Sequence, residues 1–302
     1  MEILFLGTGG SIPTPERNTS AMAVRTGQEM VLFDCGEGTQ RQFMRSSFSF
    51  MKIDKIFITH LHGDHFLGLL GLVQSMNFSG RAQPLEIYGP KGIKDVIEAT
   101  IMLGSYDLAF DIFWRELRPK DEVEGEGYKV AAVEALHIPN SLSYILKEDE
   151  RMGRFDPIKA KELGVNEGPA FSRLQKGGSI ILDDRIISPE DVIGPARPGL
   201  KLAYSGDTLP NDMFVKAAMK CDVMVHEATT DSELKDKANR YRHSTARQAA
   251  EVAVKAEAIS LYLVHVSGRY SDTSSLLREA KEVFPNTFLP NDLDIVKVHQ
   301  RE

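Results

Sequence analysis

The sequence Thr59-His60-Leu61-His62-Gly63-Asp64-His65 contains three of the eight histidines in the chain, together with one aspartate. It follows a predicted strand, Lys55–Ile58, and precedes a helical run, Phe66–Met76. A strand-to-helix turn can point all four polar side chains at one place, and imidazole with carboxylate is a ligand set of Zn²⁺. The segment therefore predicts a metal site. The alternative is a solvated, hydrogen-bonded turn.

Three more candidate ligands, His137, Asp207 and His265, each come just after a predicted strand. Each alone is a weak signal, because a single polar residue at a strand end usually serves packing or solubility. Four ligands in one turn would make a closed tetrahedral site, whereas seven suit two ions that share a carboxylate. Two ions ~3.5–4 Å apart can clamp the attacking and leaving oxygens of a phosphoryl displacement. The pattern therefore favours a dinuclear hydrolytic site, in which Mn²⁺ or Fe²⁺ could replace Zn²⁺.

Length and composition limit the class of protein. The chain has 302 residues, 42% hydrophobic and 26% charged, which is typical of one large or two small globular domains and excludes wholesale disorder. No apolar run approaches the ~20 residues that span a bilayer, and the N-terminus resembles a first strand rather than a signal peptide. Two cysteines, Cys35 and Cys221, suggest a reducing, cytoplasmic location. The net charge of −7 means that a polyanion would bind through a local basic patch or a metal.

Short β-rich runs alternate with helical stretches along the chain. The predicted strands are Glu2–Leu6, Met30–Phe33, Lys55–Ile58, Leu85–Tyr88, Tyr128–Ala135, Ser143–Leu146, Lys201–Ser205, Asp222–Val225 and Leu261–Val264. The predicted helices are Gly92–Leu103, Asn211–Met219, Ser244–Ala256 and Asp272–Val283, with N-caps expected at Ser244-Thr245 and Asp272. Many of the strands are almost continuously apolar, which indicates that both of their faces are covered. The pattern predicts an α/β fold with helices on the outer faces of sheets.

The segment from Arg151 to about Pro198 breaks this pattern, because it is rich in glycine, proline and charge. Its first part, Arg151–Gly178, has six basic residues and three acidic ones, a local charge of +3. The bases are Arg151, Arg154, Lys159, Lys161, Arg173 and Lys176, and the acids are Asp156, Glu162 and Glu167. One interpretation is a long solvated surface loop, and the other is an arm that contacts a polyanion.

A family resemblance covers essentially the whole chain. The turn His60–His65 looks like the signature of the metallo-β-lactamase superfamily, and further motifs resemble the ribonuclease Z (tRNase Z) family of tRNA 3′-processing endonucleases. These motifs are Phe5-Leu6-Gly7-Thr8-Gly9-Gly10, Phe33-Asp34-Cys35-Gly36-Glu37-Gly38-Thr39-Gln40, Tyr88-Gly89-Pro90-Lys91-Gly92, Ser205-Gly206-Asp207-Thr208, His226-Glu227-Ala228-Thr229, His243-Ser244-Thr245 and His265-Val266-Ser267-Gly268-Arg269-Tyr270. The resemblance implies one four-layer αββα domain over residues 1–302, with a protruding flexible arm inserted at 151–198. The length fits the short form of the family, which works as a homodimer.

The resemblance also implies two zinc ions per subunit, held by seven side chains. His60, His62 and His137 would hold one ion, Asp64, His65 and His265 the other, and Asp207 would bridge them. No nucleotide cofactor and no membrane partner are expected.

Other roles come from the resemblance too. Asp64 would be the general base that orients or deprotonates the attacking water, and His243 would donate a proton to the departing 3′ oxygen. Glu227 would keep His243 protonated, with a plain buried salt bridge as the alternative. Arg269 and Ser267 could contact a phosphate, or they could serve local packing.

In the family, the arm grips tRNA from the partner subunit and contains a Gly-Pro element, to which Gly168-Pro169 corresponds. The implied RNA-contacting residues are Arg154, Lys159, Lys161, Gly168, Pro169, Arg173 and Lys176. One motif departs from the family. Some bacterial members use a Pro-x-Lys-x-Arg-Asn loop to reject tRNA that already ends in CCA, and here Pro15 replaces the lysine in Pro13–Asn18. The resemblance therefore does not extend to that discrimination.

The leading hypothesis is a zinc-dependent endoribonuclease that removes the 3′ trailer from precursor tRNA, leaving a 3′-hydroxyl on the tRNA and a 5′-phosphate on the trailer. A second hypothesis keeps the metals but changes the substrate, giving a small-molecule phosphodiesterase or another hydrolase of the superfamily. A third is a non-catalytic RNA-binding or complex-scaffold subunit, against which the complete ligand set counts.

Overall fold

The computed structural model describes residues 1–103 and 107–300. Its strands, in chain order, are β1 (Glu2–Gly7), β2 (Gly9–Gly10), β3 (Ala21–Thr26), β4 (Glu29–Phe33), β5 (Ile53–Phe57), β6 (Leu85–Gly89), β7 (Ile112–Glu116), β8 (Glu122–Gly125), β9 (Tyr128–Glu134), β10 (Leu142–Glu148), β11 (Ile180–Leu182), β12 (Arg185–Ile187), β13 (Lys201–Tyr204), β14 (Val223–Glu227), β15 (Ser260–Val264), β16 (Val266–Ser267), β17 (Thr287–Phe288) and β18 (Ile295–Lys297).

The α-helices are α1 (Thr39–Met44), α2 (Gly63–Phe66), α3 (Gly68–Phe78), α4 (Ile93–Met102), α5 (Pro157–Glu162), α6 (Pro169–Gln175), α7 (Pro189–Val192), α8 (Asp212–Ala218), α9 (Lys235–Arg240), α10 (Ala246–Lys255) and α11 (Ser274–Val283). Short 3₁₀ turns lie at Phe50–Lys52 and Ser232–Leu234. No helix among residues 1–103 and 107–300 combines the length and the apolar composition that crossing a bilayer requires.

The chain divides into two compact units, and the larger one consists of Met1–Lys147 together with the chain from Leu200 onward. It contains two seven-stranded sheets, ordered β18-β1-β3-β4-β5-β6-β7 and β17-β15-β14-β13-β10-β9-β8. Successive side chains of a strand face opposite sides, so Ile3 and Phe5 of β1 pack between the sheets while Leu4 and Leu6 pack under the outer helices. A third core lies between the second sheet and α8, α10 and α11. The larger unit therefore has the four layers, αββα, that the resemblance implies.

The smaller unit, Glu148–Gly199, has its own small core of Ala160, Val165, Leu174, Ile187 and Val192. Helices α5, α6 and α7 and the hairpin β11–β12 surround this core. The sequence analysis predicted no regular structure here, because helices of four to seven residues are too short for apolar periodicity to reveal.

All nine predicted strands and all four predicted helices are confirmed, with boundaries that differ by one or two residues. Thr245 caps α10 through its side chain, as predicted. The expected N-cap of α11 is wrong by one position. Thr273 is the N-cap there, and the Asp272 carboxylate accepts hydrogen bonds from the backbone and hydroxyl of Ser274.

Candidate metal centre and active site

The seven candidate ligands converge because their strands end at one edge of the larger unit. The turn His60–His65 follows β5 and opens α2, while His137, Asp207 and His265 follow β9, β13 and β15. Strands β13, β14 and β15 are parallel, so their carboxyl ends, with the side chains after them, lie at the same edge.

Asp207 lies at the centre of the cluster. Its carboxylate oxygens are 3.3 Å from His265 Nε2, 3.4 Å from His65 Nε2, 3.6 Å from His60 Nε2 and 3.8 Å from His137 Nε2. Among the described residues, three groups of potential ligand atoms lie within 4.8 Å of one another. One joins Asp207 with His243 and His265, and the other two are His60 with His62, His137 and Asp207, and Asp64 with His65 and His265. The structure thus brings together all seven residues proposed as ligands, in the two groups expected from the resemblance.

In four of the histidines, the ring nitrogen that faces away from the centre of the cluster has a polar partner, as is typical of metal-binding histidines. Four Nδ1 atoms are held from outside: that of His60 by Thr59 Oγ1 (3.0 Å), of His65 by Asp34 Oδ2 (2.8 Å), of His137 by the Arg242 carbonyl (3.1 Å) and of His265 by Thr229 Oγ1 (2.9 Å). Such contacts fix the ring orientation of metal-bound histidines and turn Nε2 toward the ion.

Three buried polar atoms face the centre of the cluster without a hydrogen-bond partner in the described chain: His60 Nε2, His65 Nε2 and Asp207 Oδ1. A buried polar atom without a partner costs ~1–3 kcal/mol. A divalent cation removes this cost, because nitrogen and carboxylate oxygen are its ligands. The donor set therefore fits zinc.

The charge state of the cluster is close to the one that metal binding requires. Burial, together with the neighbouring His65, lowers the pKa of His60 well below its usual value, so His60 is neutral. Burial would raise the pKa of Asp207, but the adjacent His265 and His65 hold it well below its usual range. For His65, burial is outweighed by the Asp207 and Asp34 carboxylates, which raise its pKa. A cation must displace that proton, so metal affinity should fall as the pH falls.

Asp64 points into the cluster from the start of α2. Its Oδ2 accepts a hydrogen bond from the Ser11 backbone N–H at 2.7 Å and lies 3.3 Å from His265 Nε2. Burial would raise the pKa of Asp64, but the hydrogen bond from His265 and the charge of His65 lower it. The carboxylate is therefore ionised at neutral pH and can accept a hydrogen bond.

His243, which is partly buried, pairs with the buried Glu227 beside Asp207. His243 Nδ1 lies 3.0 Å from Glu227 Oε1 and 3.8 Å from Asp207 Oδ2. Burial would lower the pKa of His243, but the Glu227 carboxylate outweighs it and raises that pKa to about 9. Glu227 is held in turn by the Thr208 backbone N–H (2.9 Å) and the Thr229 hydroxyl (2.7 Å). The imidazole is thus protonated at neutral pH and rigidly placed next to the cluster.

Asp34 contacts a proposed ligand, although the sequence analysis gave it no role and only quoted the motif that contains it. Its Oδ2 accepts hydrogen bonds from His65 Nδ1 and from the Tyr204 hydroxyl, each at 2.8 Å, and its Oδ1 accepts one from the Thr59 backbone N–H at 2.8 Å. It comes directly after β4, and His137, Asp207 and His265 also follow strands, so its position at a strand end was the available signal.

The remaining proposed residues lie outside this cluster. Arg269 Nε donates to Ser267 Oγ at 3.0 Å in an exposed turn just after His265. Arg17 and Asn18, the part of the family loop that is retained, make internal contacts: Arg17 Nη1 donates to the Pro290 carbonyl (2.9 Å) and Asn18 Nδ2 to the Glu37 carbonyl (2.9 Å). The seven proposed arm residues fall in the smaller unit, and all are exposed.

Comparisons with known proteins identify relatives that cover essentially the whole chain. Residues 1–153 match the family model described as anti-Pycsar protein Apyc1. A ribonuclease Z of Methanothermobacter thermautotrophicus is 46% identical over 298 residues, covering 99% of this chain and 97% of that protein. The crystal structure of human tRNase Z, short form, superposes with a TM-score of 0.71 at 30% identity, covering 99% of this chain and all of that one. The metallo-β-lactamase fold protein YhfI of Bacillus subtilis shares the fold, with a TM-score of 0.69 at 17% identity over 98% of both chains.

Proposed function

We propose that this chain, which belongs to the ribonuclease Z family, removes the 3′ trailer from precursor tRNA with two zinc ions per subunit. Its residues 1–153 also belong to the family described as anti-Pycsar protein Apyc1. The observation that carries the proposal is the convergence of seven ligand side chains around buried nitrogen and oxygen atoms that lack partners. Burying polar atoms without partners is costly, and a bound cation would remove that cost.

We assign His60, His62 and His137 to one ion, Asp64, His65 and His265 to the other, and Asp207 to both. The central position of Asp207, within 3.8 Å of a ring nitrogen of four proposed ligands, supports its bridging role. Bound there, the ions would polarise the scissile phosphate and lower the pKa of the attacking water toward ~7.

Asp64 orients the nucleophile. Its carboxylate accepts a hydrogen bond from the attacking water, directs the water oxygen at the phosphorus and takes up the proton that is released. The Ser11 N–H, 2.7 Å from Oδ2, fixes the carboxylate in that orientation. The new bond joins the water oxygen to phosphorus, and the bond to the 3′ oxygen of the tRNA breaks. The trailer therefore leaves with a 5′-phosphate.

His243 donates the proton that the departing 3′ oxygen needs. An alkoxide is a poor leaving group, and a positioned general acid contributes ~10²–10⁴-fold. Glu227, 3.0 Å from Nδ1, keeps the imidazole protonated and leaves Nε2–H as the donor. The tRNA product then carries a 3′-hydroxyl.

The smaller unit supplies the contacts to tRNA. Its six exposed cations between Arg151 and Lys176 give the segment a positive charge in a chain of net charge −7. Phosphate contacts from lysine and arginine provide most of the sequence-independent affinity for RNA. Among the described residues, two of these six cations have an ion-pair partner: Lys161 lies 2.5 Å from Glu167, and Arg151 lies 3.2 Å from Glu148. The remaining charge is available to the tRNA backbone.

The enzyme acts as a homodimer in the cytoplasm. An apolar groove of about 350 Å³ between α2, α3 and α4 is lined by Phe66, Leu70, Val96 and Ala99, among others. Leu67, Met102 and Leu103 beside it are 57%, 82% and 71% exposed. A surface of this character marks a protein interface, and a second copy is the occupant that the short form of the family requires. Met102→Glu should convert the dimer to a monomer in sedimentation. A wild-type monomer would refute the dimer.

The decisive test of the function is incubation of zinc-loaded protein with precursor tRNA, followed by mapping of both product ends. We expect a tRNA product with a 3′-hydroxyl and a trailer with a 5′-phosphate. Parallel kcat/KM values on bis(p-nitrophenyl) phosphate separate this function from a small-molecule phosphodiesterase. Efficient hydrolysis of the small ester with no cleavage of precursor tRNA would contradict the proposal.

A further inference from the structure

We propose that Asp292 is a positioning residue for Asp64 and His265. Its carboxylate connects the two ends of the loop Thr8–Asn18. Gly10 and Ser11 of this loop lie next to the His265 and Asp64 side chains. The inference rests on the proposed function, because it treats Asp64 and His265 as parts of a working centre. Asp292 lies 27 residues beyond His265 in the sequence, outside every motif that carries the family resemblance.

The Asp292 carboxylate accepts hydrogen bonds from both ends of the loop. Its Oδ1 accepts from the Thr8 backbone N–H (3.0 Å) and the Thr8 hydroxyl (2.7 Å). Its Oδ2 accepts from the Asn18 backbone N–H (2.6 Å) and from Gln42 Nε2 (2.8 Å). Hydrogen bonds to an ionised acceptor are about twice as strong as neutral ones. Three of the four bonds therefore join the two ends of the loop through one side chain, and the fourth ties that side chain to Gln42 of α1.

Asp292 is itself firmly placed. The segment that carries it is bound to β1, since the Leu293 N–H donates to the Phe5 carbonyl (2.6 Å) and the Phe5 N–H to the Asp294 carbonyl (3.0 Å). Arg17 Nη1 donates to the Pro290 carbonyl (2.9 Å) and to the Thr8 hydroxyl (2.5 Å). The guanidinium therefore also connects the loop to the segment that carries Asp292. The segment that carries the carboxylate is thus held against β1 of the first seven-stranded sheet.

Gly10 and Ser11, in the first part of the loop, lie close to two proposed ligands. The Ser11 N–H donates to Asp64 Oδ2 at 2.7 Å. Gly10 lies so close to His265 that a Cβ on Gly10 would be 2.5 Å from the His265 ring. Strand β2 also pairs with β16, the two residues that follow His265. A shift of the loop therefore displaces the Asp64 carboxylate and the His265 imidazole together.

Asp292→Asn is the sharpest substitution. Asparagine keeps the shape and one acceptor oxygen, but its amide NH₂ would face two of the four donors. We expect kcat on precursor tRNA to fall ~10–100-fold, the range for residues that orient metal ligands, with little change in KM. The absorption bands of Co²⁺-loaded protein should also shift, because two ligands move. A purely structural role would lower thermal stability and leave the spectrum of the folded protein unchanged.

Asp294→Asn is the matched control. Asp294 lies two residues further on, and its carboxylate accepts from the Asn291 backbone N–H (2.8 Å) in an exposed turn. This variant should retain wild-type kcat and the wild-type Co²⁺ spectrum. An equal loss in Asp294→Asn would overturn the proposal, because it would assign the effect to the segment as a whole.

A folded Asp292→Asn protein with kcat within about 2-fold of wild type and an unchanged Co²⁺ spectrum would also refute the inference. If that variant does not fold, Thr8→Val replaces it. This substitution removes one donor at constant shape and should still shift the spectrum, and a wild-type spectrum would refute the proposal. Failure of the wild-type protein to cleave precursor tRNA would refute the proposed function instead, since the spectral comparison needs no substrate.

Discussion

Replacing Glu227 by glutamine tests whether His243 is held as a proton donor. Glu227 Oε1 lies 3.0 Å from His243 Nδ1, and the pKa of His243 is raised from 6.5 to about 9. A difference of about 2.5 units corresponds to roughly 3.4 kcal/mol favouring the protonated imidazole. Glutamine keeps the size of the side chain but removes the charge that stabilises this form. The pKa of His243 should therefore fall to its usual value or below.

The consequence is a change in the pH profile. A general acid works in its protonated form, so activity is present below its pKa and lost as the pH rises through it. At about pH 8, a group with pKa ~9 is ~90% protonated and one with pKa ~6.5 is ~3% protonated, which predicts a ~30-fold loss of kcat/KM. At about pH 6 the same arithmetic gives less than a 2-fold loss.

The assay is kcat/KM on precursor tRNA between about pH 5.5 and 9.5, at constant ionic strength and with equal zinc content. Glu233→Gln, at an exposed position six residues along the chain, is the matched control and should retain the wild-type profile. If the alkaline limb of Glu227→Gln coincides with that of wild type, His243 is not the proton donor or Glu227 does not set its pKa. A uniform loss at every pH would indicate a structural role for Glu227.

Three other substitutions test separate parts of the account. Asp64→Ala should lower cleavage of precursor tRNA by at least ~100-fold with an unchanged circular dichroism spectrum, and a fully active variant would remove the assigned base. Asp34→Ala should weaken zinc binding ~10–100-fold in chelator competition, because His65 Nδ1 loses the carboxylate 2.8 Å away, and unchanged affinity would contradict its orienting role. Lys159→Ala combined with Lys161→Ala should weaken tRNA binding and reduce its salt dependence while sparing hydrolysis of bis(p-nitrophenyl) phosphate, with Lys255→Ala as an exposed control. Equal loss of both activities would argue against a pure binding role.

Strand ends made much of the metal centre predictable. His137, Asp207 and His265 each follow an apolar strand, and parallel strands bring such positions to one edge. Which side chain of a strand faces the site depends on the alternation of side chains between the two faces of the sheet. Neighbouring residues of β14 show this, since Glu227 faces the site whereas His226 packs against Phe214, with ring centroids 5.8 Å apart, in the core beneath the helices.

Contacts between distant parts of the chain could not be predicted from spacing. Asp34 reaches His65 across 31 positions, and Asp292 reaches Thr8 across 284. The Ser11 contact to Asp64 uses a backbone N–H, which carries no side-chain signal at all. The residues that hold the proposed ligands in place can therefore be identified only from the folded structure. The proposed ligands can be identified from the sequence, because they are histidines and aspartates at strand ends.

The account depends most directly on a pair of neighbouring cations. The measurement is an anomalous difference map from zinc-loaded crystals, recorded on both sides of the zinc edge. The account predicts two peaks about 3.5–4 Å apart, with His60, His62 and His137 around one, Asp64, His65 and His265 around the other, and Asp207 between them. A map without a peak among these side chains, or with one ion bound elsewhere, would contradict it.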